Sequence, residues 1–82
     1  MTLKINKEDI YLLIEEALQL APKKININSK MLEIEEWDSF GHLEILVALD
    51  KKFDGKIASI DEMGSAITVE DIIKLLTLNK LI

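Results

Sequence analysis

A chain of 82 residues has room for one hydrophobic core and no separate catalytic and substrate domains. With 49% apolar and 30% charged residues it has the balance of a folded globular domain, and with 5% aromatic residues its core must be aliphatic. A net charge of −5 with no arginine disfavours nucleic acid as a partner, and the lack of cysteine excludes disulfide frameworks, thiolate nucleophiles and zinc knuckles.

Residues 1–7 show no basic region followed by an apolar stretch. No apolar run approaches the roughly 18 residues needed to span a bilayer. The sequence therefore predicts a cytoplasmic, monomeric single domain over residues 1–82, with no membrane partner.

The first periodic segment places Ile10, Leu13, Ile14, Ala17 and Leu18 on one stripe of an amphipathic helix. Asn6 is positioned to cap it and Asp9 to complete a near capping box, with Glu8 and Asp9 set against the positive end of the helix dipole. Pro22 bounds the segment. Residues 21–37 have no useful period yet contain Ile25, Ile27, Met31, Leu32, Ile34 and Trp37, which predicts a long loop pinned to the core. Loops longer than about 12 residues are uncommon in compact domains and are often functional. The competing reading is a strand at 24–28, but no clear second strand exists to pair with it.

Residues 39–53 read as a second helix capped by Asp38 or Ser39. Leu46, Leu49 and Phe53 form one stripe and Phe40, Leu43 and Val47 another, with centres roughly 120° apart. One stripe can face a small core, and the other then lies at the edge or in solvent, open to partners; the alternative is one wide buried face. After Asp54 and Gly55 comes an irregular stretch with a short helical turn near 60–63, ended by Gly64. Thr68 then caps a last helix, with Asp71 at its N3 position and Val69, Ile72, Ile73 and Leu76 on its stripe. The expected fold is all-α, a small irregular four-helix bundle with a long loop between the first two helices and a short third helix. Its expected core is Ile10, Leu13, Ile14, Ala17, Leu46, Leu49, Phe53, Val69, Ile72 and Ile73.

Most candidate chemistry fails on composition. Asp50, Asp54, Gly55, Ile57 and Asp61 fit a calcium-loop spacing, but Lys52 brings an ammonium where an oxygen ligand is required and Ala58 offers no ligand. His42 is the one histidine, three residues after Ser39, and reads as a helix-surface residue rather than a catalytic base. The pairs Glu15-Glu16 and Glu35-Glu36 are adjacent, so on a helix they splay, and they read as solvated faces.

What remains is Asp38-Ser39 at the start of the second helix, where position alone makes Ser39 a cap. The stretch Glu36-Trp-Asp-Ser-Phe-Gly-His-Leu-Glu44, continuing through Ile45-Leu-Val-Ala-Leu-Asp-Lys-Lys-Phe-Asp54, resembles the signature of the acyl carrier protein family. That signature has Asp-Ser-Leu opening a helix, a glutamate five residues after the serine, and an aliphatic run to Phe-Asp. Thr68-Val-Glu-Asp-Ile72 resembles the start of the family's last helix, so the resemblance covers nearly the whole chain.

The resemblance implies a non-enzymatic carrier domain. Its Ser39, preceded by Asp38, would receive 4'-phosphopantetheine from coenzyme A through a phosphopantetheinyl transferase. A tethered thiol would then present acyl groups as thioesters to acyl-activating, acyltransferase or synthase enzymes at high effective concentration. The resemblance also implies that partners read Phe40, Leu43 and Val47 with Glu44, Asp50 and Asp54 beside them. The pattern has departures: Phe40 replaces the usual leucine, Gly41 stands where an acidic residue is frequent, and Lys51 and Lys52 occupy a stretch that is strongly acidic in carriers of fatty acid synthesis. In these respects the chain looks more like free-standing carriers of specialised pathways. Two rival readings are an unmodified helical adaptor using the exposed stripe and a small hydrolase built on Ser39 and His42.

Overall fold

The computed structural model describes residues 5–82. Three α-helices, α1 (Lys7–Leu18), α2 (Ser39–Lys52) and α3 (Val69–Leu78), are joined by long connections carrying 3-10 turns at Met31–Glu33, Ile57–Ser59 and Asp61–Ser65. The short helical turn expected near 60–63 is therefore not an α-helix; two 3-10 turns occupy that connection, and three helices form where four were expected. Among the described residues no strand forms. The alternation at 24–28 leads instead to an isolated antiparallel bridge between Lys30 and Thr68, in which Met31 N–H donates to the Ile67 carbonyl at 2.9 Å and Val69 N–H to that of Ser29 at 3.0 Å. This bridge ties the long loop to the start of α3.

The N-terminus of α1 forms as its sequence dictates. The Asn6 side chain accepts from Asp9 N–H and the Asp9 carboxylate accepts from Asn6 N–H, both at 3.0 Å, a reciprocal capping box. The helix ends before Pro22 is reached. Gln19 turns into the left-handed region at φ 58°, and Leu20 N–H then donates to the Glu15 carbonyl at 2.8 Å while Gln19 N–H donates to that of Glu16 at 3.2 Å. These are the paired bonds of a Schellman motif, made without the glycine that usually supplies it. Thr68 caps α3 by accepting from Asp71 N–H at 3.1 Å.

The three helices meet along Ile10, Ile14 and Leu18 of α1, Ile45 and Leu49 of α2, and Val69, Ile72, Ile73 and Leu76 of α3. Trp37, Phe53, Ile57, Ile60 and Met63 close the cluster from the connections. Of the expected core, Leu13, Ala17 and Leu46 sit half-buried at its margin, while Ile45 takes the central place on α2. The buried side of α2 runs His42, Ile45, Leu49 and on to Phe53. At about 100° per residue this places it roughly 150° from the Phe40, Leu43 and Val47 stripe, which leaves that stripe facing solvent.

Candidate functional site

The site is assembled where the long loop enters α2. Its last turn runs Trp37 N–H to the Ile34 carbonyl at 3.0 Å, and Trp37 is buried beneath the helix start. The backbone of Glu36 passes directly over Gly41: a Cβ at that position would collide with the Glu36 carbonyl oxygen and lie 2.8 Å from Leu18 Cδ2. The glycine that departs from the carrier pattern thus has a local cause, because no side chain fits beneath the crossing backbone.

Of the two candidate caps, Asp38 is the one used. Its Oδ1 accepts from Gly41 N–H at 2.8 Å and its carbonyl accepts from His42 N–H at 2.8 Å. Ser39 is consequently the first residue of the helix, exposed, with its hydroxyl not spent on the cap. The amides of Ser39 and Phe40 have no intrahelical acceptor, and together with the helix dipole they favour a negative group at this end.

Beyond Ser39 the helix displays Phe40, Leu43 and Val47, which are 80%, 59% and 48% exposed. Glu44 lies beside them in solvent, and Asp54 follows the helix in a left-handed conformation at φ 54°. Asp50 is half-buried and accepts from Ala58 N–H at 3.1 Å through Oδ1, so it braces the connection after α2 as well as edging the stripe. The calcium-loop spacing gathers no ligand shell: among the described residues no three His, Cys, Asp or Glu side chains converge as a metal site. None of the site's carboxylates has a cationic partner, and the single salt bridge among the described residues is Lys30 with Glu33 at 4.0 Å. Along its other edge α2 faces the 3-10 turns across an open groove of about 510 Å³, lined by Leu46, Val47 and Asp50 opposite Ile57, Ile60 and Met63.

Two sequence expectations are corrected here. His42 is not a surface residue: it is 7% exposed and both its ring nitrogens are engaged. The Trp37 indole N–H donates to Nδ1 at 3.0 Å, and Nε2 lies 2.9 Å from the Met63 carbonyl. An indole nitrogen only donates and a carbonyl only accepts, so Nδ1 is the bare nitrogen and Nε2 carries the proton. The Trp37 and His42 rings are within 17° of parallel with centroids 6.1 Å apart. With both nitrogens occupied, neither is free to act as a base for Ser39, and the hydrolase reading loses its geometry.

Glu15 is likewise not on a solvated face. It is 4% exposed, and its Oε2 accepts from the buried Ile25 N–H at 2.9 Å, so the carboxylate pins the loop backbone against α1. Glu16, Glu35 and Glu36 are exposed as expected. The helix start at Asp38-Ser39 and the exposure of Phe40, Leu43 and Val47 agree with the sequence expectation, and the burial of His42 and Glu15 does not.

No protein-family model, curated protein or solved structure matches the chain. Among the described residues no helix is long and apolar enough to cross a membrane.

Proposed function

We propose that this chain is a non-enzymatic carrier of the acyl carrier type, modified at Ser39 with 4'-phosphopantetheine by a phosphopantetheinyl transferase. In this reading α1, α2 and α3 are three of the carrier bundle's helices, and the 3-10 turns stand in for its short, variable one. The observation that carries the proposal is the division of labour at the start of α2. Asp38 takes the capping role, so the Ser39 hydroxyl is left exposed and unspent at the end of the helix that favours an anion.

The residues present suit the group. A phosphodiester on Ser39 would meet the free amides of the first turn, and Asp38 would hold that turn in shape without blocking the hydroxyl. When attached, the arm supplies a terminal thiol that holds an acyl group as a thioester. Ser39 needs no base of its own, which agrees with both His42 nitrogens being occupied elsewhere.

Phe40, Leu43 and Val47 supply an apolar docking strip for the transferase and for acyl-activating, acyltransferase or synthase partners. The carboxylates of Glu44, Asp50 and Asp54 beside it favour partners with basic surfaces, raising association rate and fixing register more than they raise affinity. Lys51 and Lys52, exposed at the far end of the same helix, make this surface less negative and favour partners of a specialised pathway over those of bulk fatty acid synthesis.

The test is incubation with coenzyme A, magnesium and a broad-specificity phosphopantetheinyl transferase, followed by intact mass. Gain of one phosphopantetheine, absent in Ser39→Ala, supports the carrier. No gain favours the rival adaptor, for which the same exposed stripe is the relevant observation.

A further inference from the structure

The buried Trp37–His42–Met63 chain of hydrogen bonds has no place in the attachment chemistry, yet two of its members, Trp37 and His42, flank Ser39 in sequence. Trp37 immediately precedes the cap Asp38, and His42 lies in the first turn just after Gly41, so the two occupy the positions on either side of a helix start that a hydrophobic staple normally joins. A staple sets the angle at which a chain enters its helix. Here the joint is polar and directional, because the indole N–H must point at Nδ1, and it leaves Nε2–H aimed at the Met63 carbonyl in the Asp61–Ser65 turn. Met63 also lines the groove beside α2.

We infer that His42 is a positioning residue for Ser39. It staples the entering loop to the first turn of α2 and anchors that joint to the Asp61–Ser65 turn, so that the exposed hydroxyl and the groove wall are held in one fixed relation. The inference rests on the carrier reading for the role of Ser39, but the coupling between the two segments stands on the hydrogen bonds alone. An apolar residue in place of His42 would leave the buried Trp37 indole N–H without its acceptor. Loosening the helix entrance matters for transfer because a misplacement of about 1 Å can cost up to about a hundredfold in rate.

The experiment uses the full chain and three variants, His42→Leu, His42→Gln and Trp37→Phe, each checked for helical signal. In the wild type, nitrogen NMR of the imidazole should show Nδ1 bare and Nε2 protonated. Amide hydrogen exchange in His42→Leu, which loses both bonds, should speed up by at least about tenfold at residues 37 and 42 and equally at Met63 and Ala66, whereas Trp37→Phe, which keeps the His42–Met63 bond, should speed exchange chiefly at residues 37 and 42. In His42→Leu, faster exchange at the α2 entrance alone, or at neither place, overturns the coupling.

In the transferase assay His42→Leu should lose about tenfold in kcat, with KM little changed because Phe40, Leu43 and Val47 are intact. His42→Gln should recover part of that loss, since its amide can still donate to Met63. An unchanged kcat in a folded His42→Leu protein makes the residue merely structural and overturns the positioning role. If the wild type itself takes no phosphopantetheine, the carrier reading fails and the positioning role fails with it, while the exchange result still decides whether the two segments are coupled.

Discussion

The Glu36 carbonyl lies over Gly41 so closely that the loop backbone and the first turn of α2 occupy the space a methyl group would need. Alanine is the better helix former by about 1 kcal/mol, so helix propensity alone favours Gly41→Ala. The colliding atom is backbone, however, and overpacking of this kind costs about 1–3 kcal/mol. The clash should win. We expect Gly41→Ala to lower the melting temperature by several degrees, at about 4–8 °C per kcal/mol for a domain of this size. A thermal melt that rises instead would show that the crossing is loose.

Glu15 and Glu16 are neighbours in sequence with opposite surroundings, one holding the Ile25 amide and the other in solvent. Glu15→Ala should cost about 1–3 kcal/mol in a urea titration because it leaves a buried N–H unpaired. Glu15→Gln, whose side-chain carbonyl can still accept, should cost less. Glu16→Ala should stay within about 0.5 kcal/mol of the wild type.

Gln19 closes α1 in the left-handed region, a conformation that costs an L-residue with a side chain about 1–2 kcal/mol and glycine far less. Against this, glycine gives up about 0.5–1 kcal/mol of backbone entropy. Gln19→Gly should therefore stabilise the protein by a few tenths to about 1 kcal/mol, read as a higher urea midpoint with an unchanged slope.

These three residues also mark how far the sequence could be read. The start of α1 was legible because Asn6 and Asp9 satisfy each other within one turn, and the start of α3 because Thr68 and Asp71 do so in part. The C-terminal end of α1 was not, since no glycine announces the left-handed Gln19. The side of α2 that meets the core was harder still: Phe40, Leu43, Ile45, Leu46, Val47 and Leu49 leave few polar gaps, so periodicity admits Leu46 almost as well as Ile45, and only the packing of α1 and α3 chooses. His42 and Glu15 were misplaced for a shared reason. Each is buried by a partner distant in sequence, the Met63 carbonyl for one and the Ile25 amide for the other, and a charge or polarity pattern carries no trace of such partners. Asp38 and Ser39 were legible as a pair because capping is local; which of them caps was settled only by the Asp38 bond to Gly41.

The exposed stripe and the buried side of α2 should respond differently to the same substitution. Val47→Asp should leave the helical circular dichroism almost unchanged, because Val47 is about half exposed, yet slow phosphopantetheine transfer by weakening docking. Ile45→Asp should unfold the domain, since a carboxylate would be buried without a partner. Loss of fold in Val47→Asp would place that residue in the core and remove the proposed docking strip.

The most direct measurement uses a feature of the sequence around the proposed attachment point. Trypsin cleaves after Lys30 and Lys51, and Ser39 carries the only hydroxyl side chain in peptide 31–51, so a phosphoester on that peptide can lie nowhere else. After incubation with coenzyme A, magnesium and a broad-specificity transferase, the mass of peptide 31–51 should rise by one phosphopantetheine while the remaining peptides are unchanged. A peptide that keeps its unmodified mass under conditions in which a known carrier is fully converted would contradict the account.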